Sequence, residues 1–140
     1  MAQVVQYERF GDPQVLQMAE VPDPMPGPGE VRIAVKAVGL NPLEQKAFRG
    51  DKRLQMLETV QHLLHPSRWF SGEPAFPRGV ARDFSGLVDR IGPGVTGIAV
   101  GDAVLGTLRG APGQGDRRGS LADTLVVSSM TWYPSPRHGF

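Results

Sequence analysis

The sequence predicts a mainly β, barrel-like domain with one or two short helices. Three observations predict it. The 140 residues include 18 glycines and 13 prolines, punctuation that suits many short strands and turns. Glu30 to Val38 alternates clearly, with Val31, Ile33 and Val35 facing one way and Arg32 and Lys36 the other. Helical spacing is confined to the stretch between Pro42 and about Pro66.

The elements follow in order. Gln3 to Tyr7 reads as a short strand, Gly11-Asp12-Pro13 as a turn, and Gln14 to Val21 as a half-buried strand. Pro22 to Gly29 holds four prolines and two glycines and must be loop. After the strand at Glu30 to Val38, Gly39-Leu40-Asn41-Pro42 turns the chain. Pro42 suits the first turn of a helix that runs to about Arg49 and ends at Gly50. Asp51 can cap a second helix, because Leu54, Leu57, Val60 and Leu64 follow at helical spacing. Ser71 to Gly79 is loop. Asp83 to Ile91 is a strand with imperfect alternation, its apolar positions being Phe84, Leu87 and Ile91. A turn at Gly101-Asp102 leads into a short strand at Ala103 to Leu105. Arg109 to Gly119 is glycine-rich loop, and Leu121 to Val127 is the last strand.

Fifteen basic residues against fourteen acidic ones leave a net charge of +1, which gives no case for nucleic acid or a membrane surface as a partner. No cysteine is present, which excludes disulfides, thiolate zinc sites and a cysteine nucleophile. The N-terminus has neither a charged region nor a long apolar run behind it, and no apolar run is long enough to span a bilayer. A cytoplasmic location is the expectation.

Gly92-Pro93-Gly94-Val95-Thr96-Gly97 satisfies the glycine pattern of a dinucleotide-binding turn. That pattern works only where a helix begins at once, because the helix N-terminal amides hold the pyrophosphate. Here Ile98-Ala99-Val100 runs straight into Gly101-Asp102, so the motif reads as a turn between two antiparallel strands.

Six segments in order carry a family resemblance. They are Tyr7 to Leu16, Val21-Pro22-Asp23-Pro24 through Glu30-Val31, Val38 to Lys46, Asp83-Phe84-Ser85-Gly86, Ile91 to Gly106 and Gly119 to Val127. Together they resemble the GroES-like domain of zinc-free, quinone-oxidoreductase-like medium-chain dehydrogenases. The resemblance covers about residues 3 to 130. It implies a GroES-like distorted β-barrel over residues 1–130 and a tail over 131–140, and it marks the helical stretch 51–70 as an insertion. In that family the domain forms one wall of a cleft, and a Rossmann domain forms the other. This sequence stops where the nucleotide-binding domain would begin.

The resemblance also assigns roles. Zinc-dependent relatives place cysteine at the corner where this chain has Asn41-Pro42, and Arg82-Asp83 stands near the place of their His-Glu pair, so no metal site is expected. His62 and His65, three apart on the second helix, read as a solvated face. Asn41 matches a position near the nicotinamide and is the cofactor-binding candidate, although an Asn before Pro also shapes a turn by itself. Lys46 matches a lysine that points at the substrate oxygen in some relatives and can stabilise enolate charge as hydride adds. Lys46 and Asp83 are the catalytic candidates, each with a structural alternative: a surface lysine, and a turn-capping carboxylate. Glu44, two residues before Lys46, does not share its helix face. Trp69, Phe70, Phe76, Trp132 and Tyr133 are read first as core filling and second as pocket lining.

Three functions are then open. The chain is part of an NADPH-dependent quinone or enone reductase, inactive alone and needing a separate Rossmann partner to hold NADP(H). Or it is a repurposed cofactor-independent enzyme or small-ligand binder of secondary metabolism, taking a small apolar or carbonyl ligand in the old cleft. Or the apolar face that would meet the Rossmann domain forms a homodimer.

Overall fold

The computed structural model describes residues 1–64, 76–108, 119–128 and 132–134. Its strands are β1 (Ala2–Tyr7), β2 (Gln17–Val21), β3 (Glu30–Gly39), β4 (Arg78–Gly79), β5 (Asp83–Ile91), β6 (Ala103–Thr107), β7 (Thr124–Ser128) and β8 (Trp132–Pro134). Two helices, α1 (Pro42–Arg49) and α2 (Lys52–Leu64), lie between β3 and β4. All pairings are antiparallel.

The strands form two sheets and, among the described residues, no closed barrel. One has the order β2-β1-β4 and the other β7-β3-β5-β6-β8. Backbone bonds stitch the sheets together: Val4 bridges Ala122, and the Val5 N–H donates to the Leu121 carbonyl at 2.9 Å.

β3 lies between β7 and β5 and turns its apolar face to the core. Val31 and Ile33 are fully buried, and with Phe84, Val88, Val104, Leu108, Leu125 and Val127 they make the main core. An extra residue in β5 at Asp89 interrupts the register with β3. This bulge explains the imperfect alternation of the sequence. It keeps both Val88 and Ile91 against the core, while Leu87 is half-buried rather than a core residue. It also lays the Asp89 carboxylate against the Arg32 guanidinium in a bidentate pair, both bonds 2.9 Å, and Arg32 further donates to the Pro24 carbonyl.

A second cluster joins Tyr7, Phe48, Val80 and Ala81, with Phe10 and Phe76 packed on it. Phe76 is thus core filling: its ring stands edge-on to Tyr7 and Phe10, with the Arg78 guanidinium over it. Trp69, Phe70 and His65 lie outside the described residues, as do the side chains of His62, Trp132 and Tyr133.

Three local expectations change. Gln14 and Val15, expected at the start of a strand, belong with Pro13 to a 3-10 turn, because Pro13 fixes its φ and its carbonyl accepts the Leu16 N–H; β2 starts only at Gln17. The loop before β5 contains β4, which pairs with β1. The last described strand is β8, beyond Val127, and it pairs with β6.

Candidate functional site

The Asn41 corner is built by local rules. Asn41 is extended and caps α1: its side-chain oxygen accepts the Leu43 N–H at 2.8 Å. Pro42 occupies the first helical position, where its missing N–H costs nothing. Gly50 closes the helix in the left-handed region at φ 73°, a conformation that favours glycine. Leu40, Asn41 and Leu43 are all exposed, so this corner is an open, partly apolar rim.

Asp83 meets the same rim through the sheet. The register of β3 with β5 pairs Gly39 with Asp83. A Cβ on Gly39 would lie 3.2 Å from the Asp83 Cβ and 3.3 Å from a carboxylate oxygen, so glycine there leaves room for the Asp83 side chain. The Asp83 side chain is exposed, while its carbonyl accepts the hydroxyl of the fully buried Ser120 at 2.9 Å. Lys46 is also exposed, on α1. It stands two positions after Glu44 and therefore points to a different side of the helix. The structure joins the Asn41 corner and Asp83 at one rim and leaves Lys46 on the helix surface beyond it.

Sequence reasoning set Glu44 aside, and the structure gives it the most unusual environment in this region. Glu44, Ala47 and Phe48 form the buried face of α1. Only 7% of Glu44 is exposed. One carboxylate oxygen accepts the Ala81 N–H at 3.2 Å, and the other has no hydrogen-bond partner among the described residues. Burial raises the Glu44 carboxyl above its ordinary value of 4.5, and the nearby Asp83 carboxylate adds to the rise. The Ala81 hydrogen bond and the Arg82 guanidinium pull the other way without cancelling it. The one available signal was spacing: a carboxylate at i on the face that carries Ala47 at i+3 and Phe48 at i+4.

Ala81 itself sits at φ 68°, in the left-handed region that an alanine rarely adopts. Both its backbone groups are held: the N–H by Glu44, and the carbonyl by the Ser120 N–H at 3.0 Å. Such over-determination is what lets a strained conformation persist.

The glycine motif holds no pyrophosphate cradle. Gly94 and Gly97 take left-handed φ values of 78° and 80° in turns, and no helix follows. Gly92 donates its N–H to the Glu30 carbonyl at 2.8 Å, and a Cβ on it would fall 1.9 Å from the Gly27 carbonyl oxygen. Amides open at a helix start, which hold a dinucleotide's pyrophosphate, are absent from this turn. Among the described residues no group of three or more His, Asp or Glu side chains is arranged to hold a metal ion, and no helix is long and apolar enough to cross a membrane.

Residues 27–137 match the alcohol dehydrogenase GroES-like domain. The chain belongs to this family. This GroES-like domain is 31% identical to a quinone oxidoreductase of Pseudomonas aeruginosa over 104 residues, a match covering 74% of this chain and 26% of that protein. The structure of the quinone oxidoreductase from Coxiella burnetii superposes with a TM-score of 0.72 at 25% identity, covering 97% of this chain and 37% of that one. The Escherichia coli quinone oxidoreductase complexed with NADPH shares the fold, with a TM-score of 0.70 at 22% identity over 96% of this chain and 35% of that one. The GroES-like domain thus spans about a quarter to a third of the length of such relatives.

Proposed function

We propose that this GroES-like domain forms the substrate-facing wall of an NADPH-dependent quinone or enone reductase, the cofactor being held by a nucleotide-binding domain outside these residues. The observation that carries this reading is the open rim at Asn41. An amide-bearing corner, capped rather than metal-binding, projects between exposed Leu40 and Leu43 with Asp83 beside it, in a family member similar to quinone oxidoreductases.

Bound NADPH would supply hydride to the substrate. The chain's own residues would shape the other side. Leu40 and Leu43 would give a neutral ring an apolar surface and keep water from it. The Asn41 amide nitrogen is free of the capping bond and would orient the cofactor or carbonyl by hydrogen bonding. Lys46 would stabilise the oxyanion that develops as hydride adds. Asp83 is the candidate for passing a proton from water to that oxygen.

Two measurements test the proposal. Calorimetric titration of the chain with NADPH to millimolar concentration is expected to show no binding; stoichiometric binding would move the cofactor site into this domain. A chimera carrying this chain in place of the matching region of the Pseudomonas aeruginosa enzyme is expected to bind NADPH and reduce 1,4-benzoquinone. A chimera that binds NADPH but reduces no quinone would remove the reading.

A further inference from the structure

A cavity of about 410 Å³ lies between the two sheets, where β1, the segment after β2 and β7 come together. Sites for small molecules span roughly 300–1,000 Å³, so it is large enough for one. β1 contributes Val4 and Val5, β7 contributes Leu125 and Val126, and the rings of Pro22 and Pro24 add further apolar surface. None of the lining residues comes from α1, β3 or β5, so the cavity is separate from the rim.

We propose that this cavity is a binding site for a neutral, apolar small molecule about the size of a bicyclic aromatic. Charge decides the ligand class. Among the described residues the lining has no charged side chain, and Gln6 and Thr124 supply its polar ones. An ionised ligand would lose its hydration with no counter-charge to replace it. That rules out the phosphates of a dinucleotide and favours a molecule that is largely hydrocarbon, with at most one or two polar atoms for the Gln6 amide.

The walls are preformed. The Val4–Ala122 bridge, the Val5 to Leu121 bond at 2.9 Å and the Asp123 to Gln3 bond at 2.9 Å fix β1 against the segment leading into β7. Gly119, another lining residue, is pressed so closely on Val80 that a Cβ would lie 2.1 Å from its backbone nitrogen. A site held open in this way spends little binding energy on ordering itself. An apolar cavity is also poorly held by water, which finds too few hydrogen-bond partners there.

The test uses the whole chain and the uncharged dye N-phenyl-1-naphthylamine, followed by fluorescence. Saturable one-to-one binding is expected. Ala122→Phe and Val4→Phe each place bulk in the cavity and are expected to weaken it by about tenfold or more, a loss of the size that overpacking produces. The sulfonated analogue 8-anilinonaphthalene-1-sulfonate, with the same ring skeleton, should bind about tenfold more weakly or worse. The exposed apolar face of α2 is the competing dye site, so Met56→Ser with Leu63→Ser serves as the control and should change nothing. Amide shifts on the unsubstituted chain give a readout independent of variant folding. Changes concentrated at Val5, Ala122 and Val126 support the site. Changes concentrated on α2, dye binding that survives both cavity substitutions in folded protein, or no binding at all would overturn it. Dye binding that disappears as protein concentration rises would assign the cavity to a second copy of the chain and would also overturn it.

Discussion

The Glu44 carboxylate accepts the backbone N–H of Ala81 at 3.2 Å, across 37 residues of sequence. This bond ties the helix that follows the Asn41 corner to a left-handed alanine beside β5. Removing it should be felt in two ways. Glu44→Ala leaves the buried Ala81 N–H without its acceptor and should cost about 1–3 kcal/mol of stability by urea unfolding. An unchanged midpoint would show that water replaces the carboxylate.

The same group should set a pH dependence. Its folded value lies above 4.5, so well below pH 4.5 the carboxyl is neutral whether the chain is folded or unfolded. As pH rises past that point, the unfolded carboxyl loses its proton first, and the folded state loses relative stability until its own raised value is passed. Glu44→Gln does not titrate. The stability of this variant relative to the native chain should therefore increase as pH rises from below 4.5 toward neutrality, and a difference that stays flat with pH would contradict the assignment.

Gly92 and Gly94 belong to one motif but should respond differently to alanine. At Gly92 the new Cβ meets the Gly27 and Glu30 carbonyl oxygens, which are backbone and cannot swing away, so a loss of about 3 kcal/mol or more is expected. At Gly94 there is open space, and the cost is only that of φ 78°, roughly 1–2 kcal/mol. Thermal or urea unfolding of the two variants distinguishes them.

Asp89→Asn removes the charge from the bidentate pair with Arg32 but leaves the Pro24 carbonyl bond intact. Arg32 is largely buried and Asp89 about a third exposed, so a loss of about 1–2 kcal/mol is expected. The loss should shrink at high salt, which screens the exposed side of the pair.

Asn41 can be tested for its two roles separately. Asn41→Ala should cost about 1 kcal/mol through the lost helix cap, whereas Asn41→Ser keeps a capping oxygen and should nearly preserve stability. If Asn41 also acts at the rim, the serine variant of the quinone-reducing chimera should lose rate despite its retained fold. Equal rates would confine Asn41 to capping.

Much of this could be read from the residues in order. The strand at Glu30, the cap–proline–glycine frame of α1 and the Asp51 start of α2 depend on neighbours a few positions apart. Local chemistry therefore specifies them: Asn41 caps Leu43, Gly50 ends α1, and Asp51 accepts the Arg53 N–H at 2.8 Å. The absence of a helix after Gly97 was legible for the same reason. Asn41 and Asp83 were legible as candidates, but only through resemblance to a family.

Tertiary contacts decided the rest. Val88 and Ile91 both reach the core, and Leu87 does not, because a bulge at Asp89 shifts the alternation between them, and a bulge is a property of two paired strands rather than one. Glu44 was set aside as a partner for Lys46, and its own partner stands 37 residues away, so its burial on the Ala81 side is invisible in a local window. The cavity likewise exists only where β1 and β7, far apart in sequence, are brought together by the two-sheet packing. Sequence alone determined most of the strands, the capped corner and the charge balance, since these follow from neighbouring residues, whereas β4 and β8 form only through pairing with β1 and β6. Only the fold decided which carboxylate is buried and where an apolar space opens, because both depend on long-range packing.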